Sequence, residues 1–329
     1  MSCPRNIARV LLVVLAVGVL STASATSPED AGPIQAFCSI APQKFIVEHV
    51  GGDAVSVGVL VGPGQSPHMF EPTPKQMAGL AEARVYFSIG LAFERELLER
   101  TVELNPDLVV VDMSSGIKRR RIEETHEDHH AEGDDGHDHG APDPVHGHTY
   151  DHGHAHDVGD SHSDESGLPD PHVWLSPRNA VTMAETTHEA LVRLLPERKP
   201  ALDVNLDALR QYLLETHSEL WNRLRPFAGA RVYVFHPAFG YFTDAYGLVQ
   251  VPIELGGMEP GARELAALIE RARADEARVV FVQPQFSSNA ATAIADEIGG
   301  VVVTIDPLSE DYIENLREIA GEMEEALSR

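Results

Sequence analysis

Three of the 17 histidines stand in surroundings that would hold an imidazole still. His172 lies in Asp170-Pro171-His172-Val173-Trp174-Leu175-Ser176-Pro177, between a proline and an apolar run. His68 lies in Ser66-Pro67-His68-Met69-Phe70-Glu71-Pro72-Thr73-Pro74, and His236 ends the strand-like run of residues 231–235. A ligand fixed by packing loses little entropy when it meets a cation. Three neutral imidazoles and one carboxylate, for which Asp306 at the end of the apolar run 301–305 is the candidate, make a four-coordinate set suited to Zn²⁺ at bond lengths of ~2.0–2.1 Å. Mn²⁺ prefers more oxygen and a higher coordination number, while Cu²⁺ and Ni²⁺ compete on affinity. Spacing alone leaves the plainer reading open. A single histidine at a strand end is more often a hydrogen-bonded structural residue, Asp306 before a proline also suits a turn cap, and no short motif such as H-E-x-x-H ties the four together.

A second group of histidines has the opposite character. Residues 118–167 show no apolar periodicity and are crowded with Asp, Glu and Gly. They carry His126, His129, His130, His137, His139, His146, His148, His152, His154, His156 and His162. The segment is far longer than an ordinary loop and has the composition of a chain that does not fold alone. Closely spaced histidines of this kind take up Zn²⁺, Cu²⁺ or Ni²⁺ weakly, because ordering a flexible segment opposes binding.

The elements that must position the fixed histidines alternate. Strands are expected over residues 34–40, 55–61, 84–89 and 108–112, with helices over 42–50, 74–83 and 93–102 between them. After the histidine-rich segment come helices at 178–195 and 202–224. Strands then follow at 231–235, 249–255, 278–282 and 301–305, with helices at 238–246, 260–274, 287–299 and 310–327. This order argues for an α/β fold of parallel sheets covered by helices on both faces. Leucines 202, 206, 209, 213, 220 and 224 keep a helical period. At ~1.5 Å per residue that helix exceeds about 30 Å, long enough to run along two domains.

Composition narrows the classes further. The 329 residues carry 25 basic and 51 acidic side chains, for a formal charge of −26. Such a chain has no basic footprint for nucleic acid and suits a protein that meets cations. Residues 1–25 read as a cleaved signal peptide: Arg5 and Arg9, an apolar stretch over 10–20, then Ala23-Ser24-Ala25. Cys3 leaves with the leader and Cys38 has no partner, so the mature chain is expected to be an exported, soluble monomer without disulfide or membrane anchor.

With these blocks in view, the chain resembles the ZnuA-like family, the cluster A-I solute-binding proteins of bacterial metal ABC transporters. The likeness covers nearly the whole mature chain. It rests on the His68 and His172 blocks, on Phe235-His236-Pro237-Ala238-Phe239-Gly240-Tyr241-Phe242, on Glu259-Pro260-Gly261-Ala262-Arg263, on Pro284-Gln285-Phe286-Ser287 and on Asp306-Pro307-Leu308. The resemblance implies two Rossmann-like lobes joined by one long rigid helix, with the lobes at 26–201 and 227–329, the linking helix at 202–226, and metal in the cleft between them. It implies His68, His172 and His236 as ligands, with Asp306 or water as the fourth. The manganese binders of the family carry Glu where His236 stands. Two departures, Gln283 in place of a common Glu and Pro237 in place of a common Asp, leave the hydrogen bonding around the ligands open.

The expected function is therefore a periplasmic carrier that hands Zn²⁺, as transported ligand rather than resident cofactor, to an inner-membrane ABC permease with its ATPase. It is not expected to be an enzyme. Zinc affinity is expected to fall as the pH drops through about 6.5, the free histidine value. The alternatives are the same carrier for Mn²⁺ or Fe²⁺, a zinc hydrolase using Glu71 or Glu259 as base, and a surface adhesin.

Overall fold

The computed structural model describes residues 32–122, 169–254 and 257–328; the leader and all eleven histidines from His126 to His162 lie outside the described residues. Ile34–Cys38 (β1), Val55–Val59 (β2), Val85–Ser88 (β3) and Val109–Asp112 (β4) form a sheet in the order β2-β1-β3-β4, every pair parallel. Arg231–Val234 (β5), Val249–Pro252 (β6), Val279–Val282 (β7) and Val301–Thr304 (β8) repeat the plan as β6-β5-β7-β8. The inner strands β3 and β7 are buried along their whole length. Strands covered on both faces read as unbroken apolar runs, which is why these segments do not alternate.

Parallel neighbours need crossovers, and helices supply them. Ala41–Gly51 (α1), Pro74–Glu82 (α2) and Ala92–Leu104 (α3) serve the first sheet. Pro177–Leu194 (α4) and Lys199–Leu224 (α5) lie between the sheets in sequence. Gly240–Tyr246 (α6), Ala262–Ala274 (α7) and Asn289–Ile298 (α8) serve the second sheet, and Tyr312–Leu327 (α9) follows β8. Three apolar clusters result. Leu80, Tyr86 and Leu97 pack one face of the first sheet; Val280, Ile294 and Ala291 pack one face of the second. The largest cluster is shared, running from Val85 and Ile46 through Met183 and Leu213 to Phe242 and Leu316. The two α/β lobes are thus backed by one continuous core along α4, α5 and α9.

α5 starts earlier than the leucine pattern predicts. Its 26 residues begin at Lys199, with Pro200 in the first turn, where a missing backbone N–H breaks no helical bond. At ~1.5 Å per residue the helix is about 39 Å long, and Leu202, Leu206, Leu209, Leu213, Leu220 and Leu224 are all buried along it. The predicted first strand, in turn, overruns. Ser39 and Ile40 leave the ladder and donate their N–H groups to Gln43 Oε1 at 3.0 and 3.2 Å. The irregular segment also starts later than residue 118, because residues 118–122 are placed by contacts the sequence does not show. Arg121 pairs with Pro169 in an antiparallel bridge, and Arg119 donates to Ile89 O at 3.1 Å and to Asp170 O at 3.3 Å.

Candidate metal centre

In each sheet the chain leaves the first strand in both directions, so a crevice opens at the carboxyl ends beside β1 and beside β5, the place where open α/β sheets take ligands. In the first lobe side chains fill that crevice. Gln43 Nε2 donates to Phe87 O at 2.9 Å, and Glu94 accepts the N–H groups of Ile89, Gly90 and Leu91. In the second lobe His236 stands there, two residues past β5. Gln283, directly after β7, accepts from His236 N at 3.1 Å and donates to His236 O at 2.8 Å. Only an amide makes both bonds, since a carboxylate has no N–H to give. The substitution that looked like a departure is what locks the His236 backbone.

The other two histidines converge on this point. His172 enters from the segment before α4, in a short 3-10 turn, and His68 from the loop after β2. His236 Nε2 lies 3.1 Å from His68 Nε2 and 3.3 Å from His172 Nε2. All three donor atoms fall within 4.8 Å of one another. A Zn–N tetrahedron with ~2.0–2.1 Å bonds has edges of about 3.3–3.4 Å, so the spacing fits a shared ion. His172 and His236 are buried, 4% and 6% exposed, while His68 stands exposed at the mouth. Phe286 stacks on His236, centroids 4.7 Å apart.

The outward-facing nitrogens fix the tautomers. His172 Nδ1 lies 2.8 Å from Asp170 Oδ1, which also accepts the His172 backbone N–H at 2.9 Å. His236 Nδ1 lies 2.6 Å from Glu254 Oε1. A carboxylate accepts, so each Nδ1 carries the proton and each Nε2 presents a bare lone pair. Two lone pairs facing each other at 3.3 Å repel, and a cation between them removes the conflict. Partial burial of the ring where it faces the cleft, followed by the nearness of the other two imidazoles, lowers the His68 pKa to about 4. Burial, opposed by Glu254 and helped by His172, also lowers that of His236. Both rings stay neutral and ready to donate.

Sequence reading missed Glu254, which falls inside the expected strand 249–255. Its register was the available signal. Ile253 and Glu254 continue β6 pairing beyond Pro252, with Glu254 N donating to Phe235 O at 3.0 Å, which brings an acid directly beside His236. Replacing it by alanine removes the acceptor that holds the proton on Nδ1 and the ring in place, which should cut zinc affinity by about 10–100-fold. Competition against a chelator measures it, and an unchanged constant rules the tautomer argument out.

Asp306 is not among the side chains whose ligand atoms lie within 4.8 Å of one another. Its Oδ1 accepts from Gln285 Nε2 and from Leu308 N, both at 2.9 Å, so it caps the Asp306-Pro307-Leu308 turn. Glu71 and Glu259 are both exposed. No helix among the described residues is long and apolar enough to cross a membrane.

Comparison with known proteins agrees with this geometry. Residues 37–326 match the family described as ZnuA, the periplasmic component A of a zinc-uptake complex. The high-affinity zinc uptake system protein ZnuA of Yersinia pestis is 27% identical over 281 residues, spanning 84% of this chain and 83% of that protein. A crystal structure of ZnuA superposes with a TM-score of 0.74 at 33% identity, covering 90% of this chain and 99% of that one. A zinc-bound ZnuA deletion mutant also scores 0.74 at 33% identity, over 89% and 98%. The chain belongs to the ZnuA family.

Proposed function

We propose that this chain binds Zn²⁺ with high affinity in the cleft and delivers it to an ABC permease for zinc uptake. The observation that supports this most directly is the pair of carboxylate–imidazole contacts that turn two Nε2 lone pairs toward each other. His68, His172 and His236 are the protein ligands in this reading, and the fourth position falls to Asp306 or to water. An Asp306→Ala variant separates the two: a loss of tight binding selects Asp306, and retained binding selects water. The leader 1–25 is removed on export to the periplasm, and the chain acts as a monomeric carrier rather than an enzyme, with an ATPase driving the permease. The lobes divide at 26–201 and 227–329 about the linking helix. The test is a zinc titration against a chelator with excess Mn²⁺ present. One tight zinc site supports the reading, and displacement by Mn²⁺ turns it toward the manganese carrier.

The pH dependence follows from the crowding. An imidazole binds metal only when neutral, and lowering its pKa extends the neutral range downward. With His68 at about 4 and His236 also lowered, protons from these two compete below 6.5 rather than at it. Zinc affinity should decline gently from pH 7.5 to about 6 and steeply below, with release near pH 4. A cooperative three-proton loss centred at about 6.5 would sink the crowded geometry. The metal-free fold has the linked behaviour. The contribution of His68 and His236 to its stability is fully present above about 6.5 and falls away as pH drops from there toward 4, because the unfolded histidines take protons first.

The histidine-rich segment is proposed as an auxiliary, weaker binder that captures or buffers zinc. Excising residues 123–168, which spares the packed 118–122, should lower total zinc stoichiometry and leave one tight site. Loss of the tight site would show instead that the segment is the main binding element.

A further inference from the structure

Arg120 occupies a place the metal site does not explain by itself. Residues 117–122 and 169–172 run side by side; one hydrogen bond joins them to each other and two join them to the second lobe. Asp170 N donates to Arg120 O at 3.0 Å. Arg120 N donates to Tyr241 Oη at 2.9 Å, and that hydroxyl donates to Asp170 O at 3.3 Å. Tyr241 belongs to α6, so the ring of contacts crosses the cleft. The guanidinium crosses it too. Its Nε lies 3.7 Å from Asp170 Oδ2 and 3.6 Å from Asp244 Oδ2, with the arginine side chain 19% and Asp170 1% exposed.

Space has been made for it. A Cβ built on Gly240, the first residue of α6, would lie 1.3 Å from Arg120 Nη1 and 2.2 Å from its Cζ. Gly240 does not sit in the left-handed region, so the backbone does not ask for glycine there; the guanidinium does. Asp170 uses Oδ1 for both the backbone N–H and the ring Nδ1 of His172. Its Oδ2, together with Arg120 Nε and Nη1, is buried without a hydrogen-bond partner. A buried donor set beside a buried acceptor, a few tenths of an ångström beyond bonding distance, is a contact that a small movement completes.

We infer that Arg120 is a positioning residue of the cation site: seated across the lobes in the Gly240 notch, it holds Asp170 and through it the His172 ring. This rests on the carrier reading above. Two effects of the arginine oppose each other. Its charge repels a bound cation, while its anchoring of Asp170 keeps His172 aimed and the lobes together. Asp244 offsets the charge at close range, so the anchoring decides the sign.

The test is zinc affinity and release rate in the full chain for Arg120→Ala, Arg120→Lys, Gly240→Ala and Asp170→Asn, singly and in pairs. Removing the support of a ligating histidine costs about 10–100-fold. Arg120→Ala should lose about tenfold, in release rather than association, and lysine should restore only part of it. Gly240→Ala should match that loss in the wild-type chain and add nothing once Arg120 is alanine. Arg120→Ala should also change affinity by less than about twofold in the Asp170→Asn background, since the coupling then has no carrier. Thermal melts of the metal-free variants show which are folded, and Gly240→Ala tests the seat if Arg120→Ala is not. Zinc bound as tightly or more tightly by Arg120→Ala, or independent effects of Arg120 and Asp170, overturns the inference while the carrier reading stands. Failure of the wild-type chain to bind zinc overturns the carrier reading first.

Discussion

Alanine at His236 should weaken zinc binding by about two to three orders of magnitude. A structural zinc site yields about 10–16 kcal/mol in all, so one ligand of four carries about 2.5–4 kcal/mol, and each 1.4 kcal/mol is tenfold. His236 lies at the centre of the set, with Nε2 within 3.3 Å of both partners. Its loss also strands Glu254, which is 5% exposed and accepts from the ring at 2.6 Å. A buried carboxylate stripped of its donor adds a folding penalty. The variant should therefore both bind poorly and melt lower without metal. His68 offers the contrast. It stands at the mouth and, among the described residues, has no comparable acid on its ring, so His68→Ala should lose a similar share of affinity with little change in the metal-free melt. Chelator competition and metal-free thermal unfolding, run on both variants, separate the effects. Tight zinc binding by His236→Ala would remove the three-imidazole centre from consideration.

Alanine at Trp174 is expected to lower the metal-free melting temperature by about 10 °C, from a large-to-small core cost of about 3–5 kcal/mol. Trp174 is 1% exposed, and its ring centroid lies 5.2 Å from that of His172. Its Nε1–H donates to Pro307 O at 2.8 Å, and its own carbonyl accepts from Tyr312 Oη at the start of α9. The turn that delivers His172 is therefore clamped to the second lobe, beside the Asp306 turn, whose backbone oxygen accepts from Asn315 Nδ2 at 2.7 Å. Removing the indole should loosen His172 as well as the fold, so zinc affinity falls with stability. Phenylalanine keeps most of the packing and loses the indole N–H. That leaves the buried Pro307 oxygen unpaired, at about 1–3 kcal/mol. A Trp174→Ala chain that melts within about 2 °C of wild type would show that the clamp carries no stability.

The sequence by itself determined the α/β alternation, because short unbroken apolar runs and period-3.6 helical patterns are local and survive without knowledge of partners. It singled out His68, His172 and His236 because prolines and apolar neighbours mark positions where a side chain is held. It could not show that these residues meet, since they are separated by 168 and 64 positions for the two contacting pairs, and no local rule spans such distances. Tertiary structure decided what surrounds them. Glu254 becomes a partner of His236 through the register of β6 against Phe235, and Gln283 through the adjacency of β5 and β7. Asp306 shows the limit from the other side. Its place at a strand end is legible, but only the tertiary structure shows that its Oδ1 accepts from Gln285 Nε2 and Leu308 N. The sequence carries ligand types and local stiffness; tautomer, lone-pair direction and support are properties of neighbours brought together by the two sheets and their shared core.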